Sequence, residues 1–227
     1  MTKFFSPADR AEDWQQLLAK PNLHWKTGYS AKSLAHSWTE AAGFPSEVSE
    51  ALEASGYAAL KDLQFLLGFP EYDVPLPGGR RPSQNDVFVL ARNQSGLVTI
   101  AVEGKVSEPF DQPVGERFSN PTPGQTERLT YLCDLLQLQR DSVDNIGYQL
   151  LHRSASALIE AERFGATYAI MLVHSFSESL EHFDDFANFA ALYGIDATPH
   201  SISRASRING IDFYLSWVVG NPGYLSR

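Results

Sequence analysis

Asp86-Val-Phe-Val-Leu-Ala91 and Leu97-Val-Thr-Ile-Ala-Val-Glu-Gly-Lys-Val106, joined by Arg92-Asn-Gln-Ser-Gly96, decide how this chain is read. Both runs are rich in β-branched and apolar residues, and the polar join ending in glycine carries hairpin chemistry. A symmetric loop over 93–96 puts Arg92 opposite Leu97. Carried along the strands, that register sets Asp86 directly across from Glu103. Alternation sorts the second strand into Val98, Ile100 and Val102 on one face and Thr99, Ala101, Glu103 and Lys105 on the other, with Gly104 turned away. Opposed residues on one face stand about 4.5–5.5 Å apart at Cβ. Two carboxylates and one ammonium are therefore expected to meet at the open end of the hairpin.

Like charges directly opposite one another destabilise a strand pair, so this triple reads poorly as a stability element. A pair of close carboxylates is what a hard divalent cation takes; magnesium uses one or two, keeps several waters and bridges substrate phosphates. Such a cation would lower the pKa of a bound water. Lys105 beside it could orient that water or neutralise charge developing on a phosphate. The competing reading of the same residues is a solvated strand edge with a surface Glu103–Lys105 pair. The small side chains sharing Glu103's face leave room for a ligand or for a packed helix.

Outward from the hairpin, the N-terminal third reads as helical. Trp14, Leu17 and Leu18 have helical spacing, and a helix over 31–42 is capped by Ser30. Another starts near Ser46 with Val48 and Leu52 on one face, and the apolar run Leu60 to Leu67 predicts a third. The segment 70–82 holds four of the thirteen prolines and predicts loop or a short edge strand. Residues 107–124 predict a long loop. Beyond it come helices over 125–138 and 143–164, the latter stopped by Gly165, a central buried strand over 167–173, a helix over 182–193 and a last strand over 211–219. That order predicts an α/β domain spanning 1–227, with a mixed sheet flanked by helices: a helical region to about 68 and a core over about 70–220.

Composition narrows the function. Eighteen Lys and Arg against 27 Asp and Glu give a formal net charge of -9, so nucleic-acid binding would need a local basic groove rather than global attraction. A single cysteine, Cys133, excludes an internal disulfide and multi-cysteine zinc sites, and a reducing cytoplasm is the expected compartment. Residues 1–20 lack an apolar leader core and no apolar run is long enough to span a bilayer, so no membrane role is expected. The histidines show no metal-ligand spacing, and His174 reads as a satisfied histidine at a strand end.

Asn85-Asp86, then sixteen residues, then Glu103-Gly104-Lys105 between two hydrophobic strands resembles the PD-(D/E)XK nuclease superfamily. Asn85 replaces the usual proline, and the Glu-x-Lys half is intact. The resemblance extends to element order and to Gln149 followed by Arg153 on the long helix, over roughly residues 28–176. It implies a restriction-endonuclease-like fold and metal-dependent hydrolysis of phosphodiester bonds. Asp86, Glu103 and the Gly104 carbonyl would hold Mg2+ (or Mn2+), Lys105 would position the attacking water, and Gln149 would orient the lysine or the water. Members often add an acid from the first core helix, for which Glu40, Glu47 and Glu50 stand open. Many pair as homodimers, so a second copy is an expected partner beside nucleic acid, DNA ahead of RNA. Arg153 and Arg81 are the expected phosphate contacts, although the stripe Gln149, Arg153, Ser156 and Glu160 also reads as a solvated helix face. The alternative function is a catalytically silent nuclease-fold protein that serves as a binding or assembly module.

Overall fold

The computed structural model describes Ala8 and residues 10–227. After a 3-10 turn at Ala11–Leu17 come helices α1 (Pro21–His24), α2 (Ser30–Ala41) and α3 (Ser46–Ala54), then a second 3-10 turn at Ala58–Leu60. Strands β1 (Gln64–Val74), β2 (Ser83–Asn93) and β3 (Gly96–Lys105) follow. Helices α4 (Val114–Arg117), α5 (Pro123–Leu136) and α6 (Tyr148–Phe164) lead to β4 (Tyr168–Ser175), α7 (Phe183–Ala191), β5 (Ser201–Ile208) and β6 (Ile211–Val219).

The strands form one six-stranded open sheet in the order β1-β2-β3-β4-β6-β5. It is mixed: β3, β4 and β6 run parallel at its centre, and antiparallel pairs close both ends. Parallel strands need both faces covered, and the near-continuous apolar run of β4 reflects that. On one face α5, α6 and α7 cover Ala101, Met171, Val173, Phe213 and Trp217. On the other α2, α3 and the first 3-10 turn cover Val87, Val89, Val98, Ile100 and Ile170. Each large apolar side chain buried in this way contributes about 1.5–3 kcal/mol relative to exposure.

The hairpin register is the expected one: Arg92 pairs with Leu97 and Val87 with Val102. The turn is tighter than a four-residue loop, because Asn93 itself pairs with Gly96 and leaves Gln94 and Ser95 at the tip. Asn93 ties that tip down: its Oδ1 accepts from Ser95 N and its Nδ2 donates to the Ala59 and Lys61 carbonyls. Gly165 ends α6 in the left-handed region at φ 64°, as its place in the sequence suggests.

Three expectations are corrected. The helix predicted over Leu60–Leu67 is instead the end of a 3-10 turn and the start of β1, so the helical N-terminal region stops near Leu60 rather than 68. The outer edge of β2 carries backbone N–H and C=O groups that need partners, and a short apolar run supplies them by pairing rather than coiling. Pro70 fits because β1 is the edge strand, where a missing donor is tolerated. The strand β5, Ser201–Ile208, pairs with β6 where no element was expected. The polar stripe of α6 is buried: Arg153, Ser156 and Glu160 all pack inward. Among the described residues no helix is long and apolar enough to cross a membrane.

Candidate active site

The open end of the hairpin faces a cavity of about 260 Å³ lined by Asp86, Glu103, Lys105, Gln149 and Arg153, together with Glu71, Ser30 and Glu108. Strand ends bring the charges in: Asp86 from β2, Glu103 and Lys105 from β3. The first turns of α6 add Gln149 and Arg153, one helical turn apart. Gln149 is set by the entry to α6, where its N–H donates to the Phe110 carbonyl at 3.2 Å.

Glu103 is the hub. Its Oε1 accepts from Lys105 Nζ at 2.8 Å and its Oε2 from Arg153 Nε at 2.5 Å. Lys105 Nζ also donates to Gln149 Oε1 at 3.0 Å and lies 4.7 Å from the Phe110 ring centroid. Arg153 Nη1 donates to Ser83 Oγ at 3.1 Å, within a buried cluster that includes His152. Asp86 accepts from the Gly104 N–H at 2.7 Å through Oδ2. Gly104 thus enters the site through its N–H as well as lying between Glu103 and Lys105.

The carboxylates are not equivalent. Burial pushes Glu103 up, but Arg153 and Lys105 outweigh it and hold the group below the usual carboxylate range. Burial, reinforced by the Glu103 charge, pushes Asp86 up to about 7. Burial and the Asp86 charge push Glu71 well above its usual value. Glu71 has no hydrogen bond or ion pair among the described residues, and Asp86 has only the Gly104 N–H. Glu103 is therefore neutralised by two cations, while Asp86 and Glu71 face the cavity with no ion pair of their own among the described residues, and the nearby Arg153 offsets their burial only in part.

Sequence reasoning missed Glu71. It sits in β1 at φ 51°, a left-handed conformation that non-glycine residues seldom adopt. Its neighbours Pro70 and Tyr72 pair with Val87 and Asn85, which brackets Asp86. Strain of this kind is retained where surroundings over-determine it, often at functional sites. Had 64–74 been read as a strand on β2, the register would have brought Glu71 to Asp86.

The residues fit a hard cation. Oxygen donors are present, and Asp86 and Glu71 have no ion pair among the described residues, so a cation would find carboxylates not already committed to one. Among the described residues no three His, Cys, Asp or Glu side chains are grouped to hold a metal unaided. Such a site suits magnesium, which relies on one or two carboxylates, waters and substrate oxygens.

The other predicted contributors lie elsewhere. Arg81 lines a different cavity, with Arg80, Arg117 and Arg128, because the loop after β1 carries it away from the strand end. Glu47 accepts from His174 and from Asn221 N, with His174 Nδ1 in turn accepting from Trp38 Nε1 at 3.1 Å. Burial raises Glu47, but the His174 hydrogen bond and charge, its own backbone N–H and the Ser46 hydroxyl together outweigh it and bring the group down to about 2. Glu40 pairs with Arg227 and accepts from the Tyr224 hydroxyl. Glu50 is exposed and lines none of this cavity. Instead, α2 offers its N-terminus: Ser30 N and Oγ donate to Glu108 Oε1 at 3.0 and 2.8 Å. Glu108 thereby caps α2 from a distant loop, where Ser30 itself was the expected cap.

No curated protein and no solved structure matches the chain. A family model described as a domain of unknown function, DUF6946, matches residues 7–222, and the chain belongs to that family.

Proposed function

We propose that this protein hydrolyses phosphodiester bonds of nucleic acid, DNA ahead of RNA, with magnesium or manganese, on a restriction-endonuclease-like core in the cytoplasm. The observation that carries the reading is the convergence of Asp86, Glu103, Lys105 and Gln149 on one cavity at the end of the β2–β3 hairpin. The mixed sheet with α6 packed against β3 and β4 is in keeping with that core. Asp86 and Glu71 would hold the cation, with Glu103 sharing it. When bound, the cation supplies positive charge to phosphate oxygens and acidifies a water. Lys105 has three N–H donors and uses two on Glu103 and Gln149, leaving one for the attacking water or a phosphate oxygen. Gln149 and the Phe110 ring fix where that donor points. Arg153 is a positioning residue: it locks Glu103 and does not reach out to phosphate with its Nε.

Cleavage of single- and double-stranded DNA and RNA in manganese tests the proposal. Turnover on at least one substrate, lost in Lys105→Ala while metal binding persists, is the expected result. Metal bound normally with no turnover on any of the four would overturn it. A second reading, a silent nuclease-fold binding module, draws on the saturation of both Glu103 oxygens by Lys105 and Arg153. Absence of any divalent-metal binding at Asp86 would favour it.

A further inference from the structure

Four arginines, Arg80, Arg81, Arg117 and Arg128, line a second cavity of about 230 Å³, floored by Tyr148 and Phe118. Among the described residues no carboxylate lines it. Arg117 has one counter-charge, Asp111, at 2.8 Å, and its guanidinium lies 4.6 Å from the Tyr148 ring centroid. Arg80 and Arg81 have no ion pair or hydrogen bond among the described residues. Arg128 is held in place by donating from Nε to the Pro77 carbonyl at 2.9 Å. Three positive charges therefore stand unbalanced around one concavity, in a protein whose net charge is -9.

The cavity is built, not incidental. Gly78, at φ 73°, packs backbone to backbone on the first turn of α5; a Cβ there would fall 2.0 Å from the Gly124 carbonyl oxygen. That contact pins the loop carrying Arg80 and Arg81 against the helix carrying Arg128. The first turn of α5 adds Gln125, whose Oε1 accepts from Thr122 N in a capping box, and the positive end of the helix dipole, which favours an anion nearby. Guanidinium forks match tetrahedral oxyanions in geometry as well as charge.

Its place relative to the acidic cavity is fixed by α6. Tyr148 and His152 share one stripe of that helix, and Gln149 and Arg153 the next. The two cavities lie on neighbouring faces of one helix, a body about 10–12 Å across. A nucleic-acid strand advances about 3.4 Å per nucleotide along a duplex axis, so this span is a few nucleotides.

We propose that the arginine cavity binds a phosphate group and, resting on the nucleic-acid reading above, that the phosphate belongs to the strand whose nearby phosphodiester enters the acidic cavity. The shared chemistry is a phosphate oxyanion, whether terminal or internal.

Calorimetric titration of the full chain with inorganic phosphate, at constant ionic strength held with chloride, tests the site itself. Saturable binding is expected in wild type and in Lys105→Ala. It should be at least about tenfold weaker in Arg80→Gln/Arg81→Gln, whose exposed side chains can be changed without disturbing the fold, and in Arg117→Gln. No saturable binding at millimolar phosphate, or equal binding by the arginine variants, would overturn the inference. So would loss of phosphate binding in Lys105→Ala, which would place the anion in the other cavity. Oligonucleotides with a 5′-phosphate, a 3′-phosphate or neither then separate the sources. Tenfold tighter binding of one phosphorylated end identifies a terminal phosphate, and equal binding of all three, weakened by the arginine variants, identifies an internal one. Phosphate binding with no cleavage of any nucleic acid would sink the nuclease reading and leave this site standing.

Discussion

At the ends of β3 and β4 the sheet buries acidic groups on both faces, and the two sites are balanced in opposite ways. On one face Glu47 takes hydrogen bonds from His174 and from Asn221 N, His174 takes one from Trp38, and the carboxylate falls to about 2. On the other, Lys105 and Arg153 satisfy Glu103, while Asp86 and Glu71 are left facing a cavity and Asp86 rises to about 7. The first arrangement is complete and ties α3 and α2 to β4. The second has more carboxylates than its cations neutralise. A pocket short of positive charge can take a ligand that brings it, which sets this candidate site apart from the structural lock on the other face.

The contrast can be broken by substitution, and the largest effect should fall on catalysis. Lys105→Ala removes the ammonium whose third N–H is uncommitted, and cleavage should drop by about 10²–10⁴-fold in a manganese-dependent assay, with metal affinity retained or tightened. Next in size is stability. Glu103→Ala would leave Lys105 and Arg153 buried without their shared partner, at a cost of about 3–5 kcal/mol by denaturant unfolding. Loss of less than about 1 kcal/mol would mean the two cations find other partners and Glu103 is no hub.

Asp86→Asn should act in the other direction. A carboxyl whose pKa is about 7 when folded, against about 3.9 unfolded, holds more protons in the native state between those values. Stability should therefore fall as pH rises from about 4 to about 7. The amide removes that penalty, so the variant should gain about 1–3 kcal/mol over wild type at pH 8 without metal, and nothing at pH 4. Smallest is Glu47→Gln, expected to cost about 1 kcal/mol in thermal unfolding and to leave the response to manganese unchanged. A changed manganese response there would join the two sites that the sheet separates.

Much of the acidic site was legible because a hairpin converts sequence spacing into spatial register. The polar join and the alternation of Val98, Ile100 and Val102 were enough to pair Arg92 with Leu97 and bring Asp86, Glu103 and Lys105 to one end. Gln149 was expected only from the family resemblance, which places a polar residue on that helix. The losses have physical causes. The segment from Leu60 to Leu67 carries no distinct period, so its pairing on β2 could not be read locally, and Glu71 was lost with it. Strand β5, Ser-Ile-Ser-Arg-Ala-Ser-Arg-Ile, is a half-exposed edge whose strand character comes from β6 rather than from its own residues. Arg81 was placed by nearness in sequence to Asp86, whereas Gly78 packing on α5 carries its loop to the neighbouring cavity. The burial of Arg153 was hidden because its partner, Glu103, is fifty residues away.

The central claim is that Asp86 and its neighbours form a carboxylate site short of positive charge, and manganese titration by calorimetry at pH 6 and pH 8 tests it most directly. In wild type one ion should bind per chain, about tenfold tighter at pH 8 than at pH 6, because Asp86 releases its proton near 7, and with proton release at the lower pH. Asp86→Asn should lose this binding. No binding at millimolar manganese in either protein, or equal binding in both, would contradict the account.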